Sequence, residues 1–388
     1  MDQLPTCALT CLVSAIQASS CSMADTSCQC TNQELNSLVE TCVLNRCTLQ
    51  EALFTKNITQ TICGAPIRHQ PANYLAISVS LMGIATVLVL TRLAFKRLFT
   101  SNGITLDDWL ILLTWLACIP SSVSNHLLLM GNGLGRDIWT LPTESLTHFA
   151  LGFWLMEPFY FFEVSVLKLS MIAFYAKIFP GKNTRQLLLW TAVFDVLFGA
   201  AFILVVFGQC IPLNFFWTQF QGKEGKCINI GAAAWSNAAV SVALDVWLLA
   251  IPLYQLRKLQ LSVWKKVGVA LMFCVGSFVT IISAIRFAAL IQMQNSTNLT
   301  WDYYHVVMWS TVEVTVGIMC TCMPTMRLVL VRCARHIGGT TSQNYTHFNQ
   351  DSKSGPGSTA TWKSTEVMLI ENVERGQIAI PQPTHFKM

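Results

Sequence analysis

Seven long apolar stretches separated by short polar segments set the pattern of this chain, at 74–91, 109–131, 149–179, 187–207, 232–255, 267–291 and 304–331. An α-helix rises about 1.5 Å per residue, so each stretch can cross a hydrocarbon core of roughly 30 Å. The third and seventh exceed that need and are expected to tilt or protrude. Residues 1–66 are polar and rich in cysteine, and read as short helical pieces and turns. Residues 64–73, with Pro66 and Pro71, read as a linker. Residues 336–388 are rich in Ser, Thr and Gly and are expected to form a disordered cytoplasmic tail. The predicted fold is an all-α membrane protein. It consists of a seven-transmembrane helix bundle over 74–335 with an N-terminal extracellular disulfide-rich module over 1–66.

Composition agrees with a chain dissolved in lipid. Of its 388 residues 53% are hydrophobic and 12% charged, and the mean hydropathy is +0.49. Soluble domains carry about 25% charged residues. The net charge of +5 is spread between the spans with no basic cluster, which argues against nucleic acid and leaves membrane lipid as the evident partner. Alternate loops carry the cations: Arg92, Lys96 and Arg97; Lys177, Lys182 and Arg185; Arg257, Lys258, Lys265 and Lys266; Arg327, Arg332 and Arg335. The intervening loops hold only Arg136 in one and Lys223 and Lys226 in another. The positive-inside rule then places the N-terminus outside and the C-terminus in the cytoplasm, in a multi-pass protein expected at the plasma membrane. Glycosylation sequons at Asn57, Asn295 and Asn298 fall on the side assigned outside. The opening residues lack the basic and apolar regions of a cleavable signal peptide. Either the first span exports the N-terminus, or an upstream exon is missing from the gene model.

Eight of the fifteen cysteines, Cys7, Cys11, Cys21, Cys28, Cys30, Cys42, Cys47 and Cys63, crowd the first segment. A segment too small for a free-standing core reads as a disulfide framework made in an oxidising compartment. Eight cysteines allow roughly a hundred connectivities, so the pairing stays open. The pattern of Pro5-Thr-Cys7, Cys11, Cys21, Asp25-Thr-Ser-Cys28-Gln-Cys30, Cys42, Cys47 and Cys63 resembles the fungal CFEM domain. The resemblance implies haem as a possible cofactor, with Asp25 as a candidate axial iron ligand. The local reading is that Asp25 caps the turn before Cys28. Cys210 and Cys227 flank an outer loop and read as a further disulfide or as two free thiols. Cys118, Cys274, Cys320 and Cys322 lie within spans as packing residues. Cys333, at the inner face, is a palmitoylation candidate or an inert thiol.

Ionisable residues inside spans are costly and usually face the bundle interior with a partner. Counting rise from the span ends puts Glu157, Arg286 and Glu313 in the outer half. Lys168, Asp195 and Asp245 fall in the inner half, with Glu163 between. The expectation is two layers. Glu157, Arg286 and Glu313 with Trp154, Tyr160 and Trp309 form a ligand pocket. Lys168, Asp195 and Asp245, with Glu163, form an intramembrane ionic network that locks one helix arrangement. The alternative is a set of structural pairs with no ligand. Thr105-Leu-Asp107-Asp108 has the form of a capping box opening the second span, and Pro120, Pro252 and Pro324 mark expected kinks. His126 is a lone polar residue expected to be hydrogen-bonded.

Several classes are disfavoured. Residues 304–326 hold no lysine for a retinal Schiff base. There is no HExxH, no Gly-rich phosphate loop and no Ser-His-Asp set at one membrane face, so no enzyme is expected. No inverted repeat supports a transporter.

A CFEM-like module followed by seven spans, with Asp107-Asp108-Trp109 and Lys168-Leu-Ser170 in the bundle, resembles the fungal rhodopsin-like integral membrane family. The third span ends Ala176-Lys-Ile-Phe179 without Asp-Arg-Tyr, and the seventh lacks Asn-Pro-x-x-Tyr, so the usual G-protein coupling motifs are missing. The resemblance implies a receptor-like membrane protein sensing an extracellular cue, with an unidentified external ligand and a cytosolic signalling partner. It also implies two alternatives. One is a membrane accessory of a mycotoxin gene cluster of the satratoxin or trichothecene type. The other is haem or iron capture by the N-terminal module.

Overall fold

The computed structural model describes residues 4–100, 103–179, 181–257, 263–293 and 296–338. Four short helices come first: α1 (Thr6–Ala18), α2 (Thr26–Thr31), α3 (Gln33–Arg46) and α4 (Leu49–Ile62). Seven helices long and apolar enough to span a membrane follow. They are α5 (Pro71–Phe99), α6 (Leu106–Ser124), α7 (Thr143–Ile178), α8 (Lys182–Gly208), α10 (Ile230–Arg257), α11 (Val263–Met293) and α12 (Leu299–Gly338). Between α8 and α10 lies a two-stranded hairpin, β1 (Cys210–Ile211) against β2 (Lys226–Cys227), around the single turn α9 (Phe215–Thr218). The chain is an all-α membrane protein with seven candidate spans. The tail from 339 onward lies outside the described residues, as do Lys258 and Asn295.

The N-terminal module is held by Cys7–Cys47, Cys11–Cys42, Cys21–Cys28 and Cys30–Cys63. The one-turn spacing of Cys7 and Cys11 puts both on the face of α1 that meets α3, so two bridges clamp that helix pair. Its core is small, built on Ala8, Cys11, Val43 and Ala52 with a second cluster around Ile16 and Leu35. Such a core depends on covalent staples. Thr48 and Glu51 close a capping box at the start of α4, where Glu51 Oε2 accepts from Thr48 N at 2.9 Å. Glu51 Oε2 also accepts from Thr48 Oγ1 at 2.8 Å, and these two bonds hold the Glu51 carboxyl below its usual pKa.

The module sits on the bundle. Leu53 of α4 joins a cluster with Ile138, Trp139, Phe216 and the Cys210–Cys227 hairpin. Gln50 donates to Thr143 at the start of α7 at 3.3 Å. Beyond the last cysteine, Arg68 bonds Asp137 at 2.6 Å and stacks on Trp301 at 4.4 Å. Asp137 also accepts from Asn298 at 2.7 Å. The linker, the α6–α7 loop and the start of α12 therefore share one buried carboxylate.

Inside the bundle, Ala85, Val89, Ile111, Leu167, Val314 and Ile318 pack α5, α6, α7 and α12 together. Gly199 lets α8 approach Ser165 of α7 where a Cβ would collide, the small-residue contact that membrane helices favour. Leu189, Trp190, Leu197 and Leu204 of α8 remain exposed, as a lipid-facing surface requires. Pro120 is followed by a π-helical turn over Asn125–Met130, while Pro158 lies inside α7 without ending it.

The end of the bundle opposite the module departs from expectation. The charge pattern makes Arg92 a loop cation, but α5 continues past it to Phe99 and buries it at 1% exposure. Its guanidinium bonds Asp107 at 2.6 Å, Asp108 at 2.7 Å and the Thr321 carbonyl. Lys96 meets Asp108 at 2.9 Å, Lys177 pairs with Asp107, and Ser170 donates to the Asp107 carbonyl at 3.1 Å. The capping box is present, since Asp108 Oδ2 accepts from Thr105 N at 2.9 Å. The same carboxylates also tie α5, α6, α7 and α12 together.

Replacing Arg92 by Ala removes the one fully buried cation that both carboxylates share and is expected to cost about 3–5 kcal/mol of stability. Lys177→Ala, with that side chain 43% exposed, is expected to cost less than about 1 kcal/mol. Reversible unfolding of both variants in detergent checks the contrast. At the module, a depressed Glu51 pKa contributes stability above the usual Glu range and loses it as pH falls through the folded-state value. Amide protection of α4 in the intact chain, taken relative to the intrinsic exchange rate at each pH, should therefore fall on acidification, and Glu51→Gln should remove that dependence.

Candidate functional site

The interior polar residues come from five spans. α7 supplies Tyr160, Glu163 and Lys168, α8 supplies Asp195, and α10 supplies Ser241 and Asp245. α11 supplies Ser283 and Arg286, and α12 supplies Glu313. Ser241 and Asp245 are four apart, and Ser283 and Arg286 three apart, so each pair shares a helix face. Lys168, Arg286 and Glu313 are each at most 4% exposed.

These side chains form one continuous series. Lys168 pairs with Asp245 and donates to the Ser241 carbonyl at 3.0 Å. The Ser283 hydroxyl lies 2.9 Å from Asp245 Oδ2 and 2.6 Å from Glu313 Oε1. Tyr160 donates to Glu313 Oε2 at 2.8 Å. Arg286 Nε is 2.8 Å from that same oxygen, and its guanidinium stands 4.6 Å over the Tyr160 ring. The Arg286–Glu313 contact is an ion pair without hydrogen-bond alignment, because Nε and Nη2 both lack a hydrogen-bonded partner among the described residues.

The two expected layers are thus joined through Ser283, and their members are sorted differently. Tyr160, Arg286 and Glu313 come together as one group. Glu157 stands apart, accepting from Gln209 at 3.0 Å. Trp154 belongs to the cluster beneath the module, 5.3 Å from Trp217, with its Nε1 donating to the Val206 carbonyl at 3.3 Å. Trp309 is half-buried one helical turn before Glu313. In the expected inner network, Lys168 and Asp245 touch. Asp195 is buried with Oδ2 unbonded, and lines a cleft with Tyr160, Lys168, Asn237 and Ser241. That cleft has an empty volume of about 290 Å³, counting its open side. Glu163 turns instead towards Cys118 and Ser121 of α6. The sequence pattern does not mark Ser283 as a site; its signal there is a small polar residue one turn before an intramembrane arginine.

The remaining sites divide similarly. Cys210 and Cys227 are bonded, and Cys118, Cys274, Cys320, Cys322 and Cys333 are free. Cys7, Cys47 and Glu51 lie close enough to suggest a metal site, but the two sulfurs are bonded to each other and offer no thiolate. Asp25 Oδ1 accepts from Cys28 N at 2.9 Å, as a helix cap should. Its exposed position leaves the second carboxylate oxygen to face a ligand, so a one-oxygen bond to haem iron fits this geometry. Asn57 is half-buried within α4. Asn298 is buried, and both ends of its amide are bonded, to Ile138 N at 2.9 Å and to Asp137 at 2.7 Å. The sequon threonine, Thr300, donates to the Arg136 carbonyl at 2.7 Å. A glycan on Asn298 would need room around a buried Nδ2 that already donates to Asp137, so the fold uses this sequon for its own closure.

Comparison with known proteins accords with this architecture. The fungal rhodopsin domain family matches residues 91–332, and the CFEM domain matches residues 1–64. The chain belongs to the fungal rhodopsin domain family and carries an N-terminal CFEM domain. It is 29% identical over 203 residues to a SAT4 family membrane protein of Emericella nidulans, covering 50% of this chain and 49% of that one. It is 23% identical over 176 residues to satratoxin biosynthesis SC1 cluster protein 4 of Stachybotrys chartarum, covering 45% and 63%. It is 22% identical over 279 residues to Receptor GIN3 of Arthrobotrys oligospora, covering 71% and 67%. The chain thus spans between about half and two thirds of the length of these curated relatives. No solved structure matches it.

Asn57→Gln is expected to increase gel mobility of the protein made in a glycosylating host, and Asn298→Gln to leave mobility unchanged. Asn298→Ala is also expected to cost about 1–3 kcal/mol, because it leaves the buried Ile138 N–H unpaired and takes one donor from Asp137. Peptide mass spectrometry and unfolding of the intact chain check the two outcomes.

Proposed function

We propose that this member of the fungal rhodopsin domain family is a receptor-like protein of the plasma membrane, with its CFEM domain outside and its C-terminus in the cytoplasm. The observation that carries this reading is a physical path from one end of the molecule to the other. The module rests on Trp139 and on the Arg68–Asp137–Asn298 contact. Those contacts hold the outer starts of α7 and α12. The same two helices carry Lys168 and Glu313 in mid-bundle, and Ser170, Lys177 and the Thr321 carbonyl at the far end. A cue that shifts the module therefore has rigid helices and discrete ion pairs through which to act. The 22% identity to a protein named as a receptor supports the same reading.

A second reading is favoured by the name of the satratoxin cluster relative: a membrane accessory of a secondary-metabolite gene cluster. Haem held through Asp25 would make the module an iron-responsive one, and the oxygen not bonded to Cys28 is the atom that would reach the metal. A carboxylate ligand favours ferric over ferrous iron, being a hard anionic donor.

A fluorophore on Cys333, with Cys274 and Cys320 replaced by Ser, reports the end of the bundle opposite the module. In the intact chain in nanodiscs, Asp137→Asn should change its emission, since it weakens the contact at the other end. Unchanged emission would remove the structural support for a receptor. Deleting the gene from its host separates the two readings. Loss of a metabolite with cue responses intact favours the accessory role.

A further inference from the structure

We propose that the bundle contains a proton-binding site, in which one exchangeable proton is held between Asp245 of α10 and Glu313 of α12 by the Ser283 hydroxyl of α11. The inference goes beyond the receptor reading and holds whichever function is correct.

Two observations carry it independently. The first is the hydrogen count at Ser283. Its oxygen lies 2.6 Å from Glu313 Oε1, 2.9 Å from Asp245 Oδ2 and 3.1 Å from the Val279 carbonyl. A serine hydroxyl has one hydrogen and two lone pairs. It can donate to one carboxylate only. The other carboxyl oxygen would face a lone pair at hydrogen-bond distance, unless that carboxyl carries a proton and donates it to Ser283 Oγ. With one added proton the contacts run in one direction through the serine, from the protonated carboxyl to the ionised one.

The second is charge balance. The groups facing this point are Tyr160 and Lys168 of α7, Asp195 of α8, Asp245 of α10, Arg286 of α11 and Glu313 of α12. They comprise two cations and three carboxyl groups, all buried except Asp245, whose side chain is 11% exposed. An uncompensated charge in this setting is strongly disfavoured. One proton brings the set to neutrality, and the serine geometry says where it sits. Glu163, facing Cys118 and Ser121, and Glu157, bonded to Gln209, lie outside the set and do not alter the count.

A cationic group entering the cleft beside Lys168 and Asp195 would displace this proton, and loss of the proton leaves the set with one net negative charge. Any ligand that changes the local charge is therefore linked to pH.

The test uses the intact chain in lipid nanodiscs, with Asp245→Asn, Glu313→Gln and Ser283→Ala. An amide is a neutral isostere of a protonated carboxyl. One of the two amide variants should unfold at the wild-type temperature, while the other, which removes a needed negative charge, should unfold well below it. The tolerated variant should also lose an infrared carboxylic-acid carbonyl band. Ser283→Ala should shift the frequency of that band. Equal effects of Asp245→Asn and Glu313→Gln on the unfolding temperature, in either direction, would overturn the proposal. So would a carboxylic-acid band that neither the tolerated amide variant nor Ser283→Ala alters.

Discussion

A charge removed from water must bring its own counter-charge, and the bundle is organised around that requirement. It meets it twice. Opposite the module, Arg92 is surrounded by Asp107, Asp108 and a backbone carbonyl, with Lys96 and Lys177 completing the set. In mid-bundle, Lys168 and Arg286 are matched to Asp245 and Glu313 through Ser283. Apolar packing alone gives membrane helices little preference for one partner over another, because lipid tails are as apolar as leucine. The buried ions supply that preference. Each is satisfied only when particular helices meet in one register, so the cost of burying them is converted into a specified arrangement.

The N-terminal domain extends the same logic across the bundle surface. Its own core is too small to stand without four disulfides, and its fourth helix buries Leu53 against the loops that close the bundle. Asp137 is the junction. It accepts from the linker through Arg68 and from the start of α12 through Asn298. Module and bundle are therefore joined by groups that cannot be separated without exposing or unpairing a buried carboxylate. For a sensor, this offers mechanical continuity; for a biosynthetic accessory, it offers a covered bundle end.

Much of this was legible in the residues, for physical reasons. Seven apolar runs leave little choice but spanning helices, and Asp25 and Thr105 announce helix starts by their chemistry. What stayed hidden depends on partners distant in sequence. Arg92 follows an apolar run and reads locally as the first loop cation; only the depth of Asp107 and Asp108 pulls it inside. Asn298 satisfies a three-residue sequon, and nothing within that window reveals Asp137 on another loop. Ser283 looks like any serine bonding back to its own helix, which it does at Val279, while also meeting two carboxyl groups from neighbouring helices. The Cys7–Cys47 and Cys11–Cys42 pairing follows from the antiparallel packing of α1 and α3, a tertiary fact that spacing alone leaves open.

The central claim is that the mid-bundle ions act as one connected set. Lys168 and Glu313 are linked through Asp245 and Ser283, so a double-mutant cycle between them measures the connection. The account predicts that Lys168→Met and Glu313→Gln combine non-additively in unfolding free energy, with a coupling of about 0.5–3 kcal/mol. Additivity to within about 0.3 kcal/mol would contradict it.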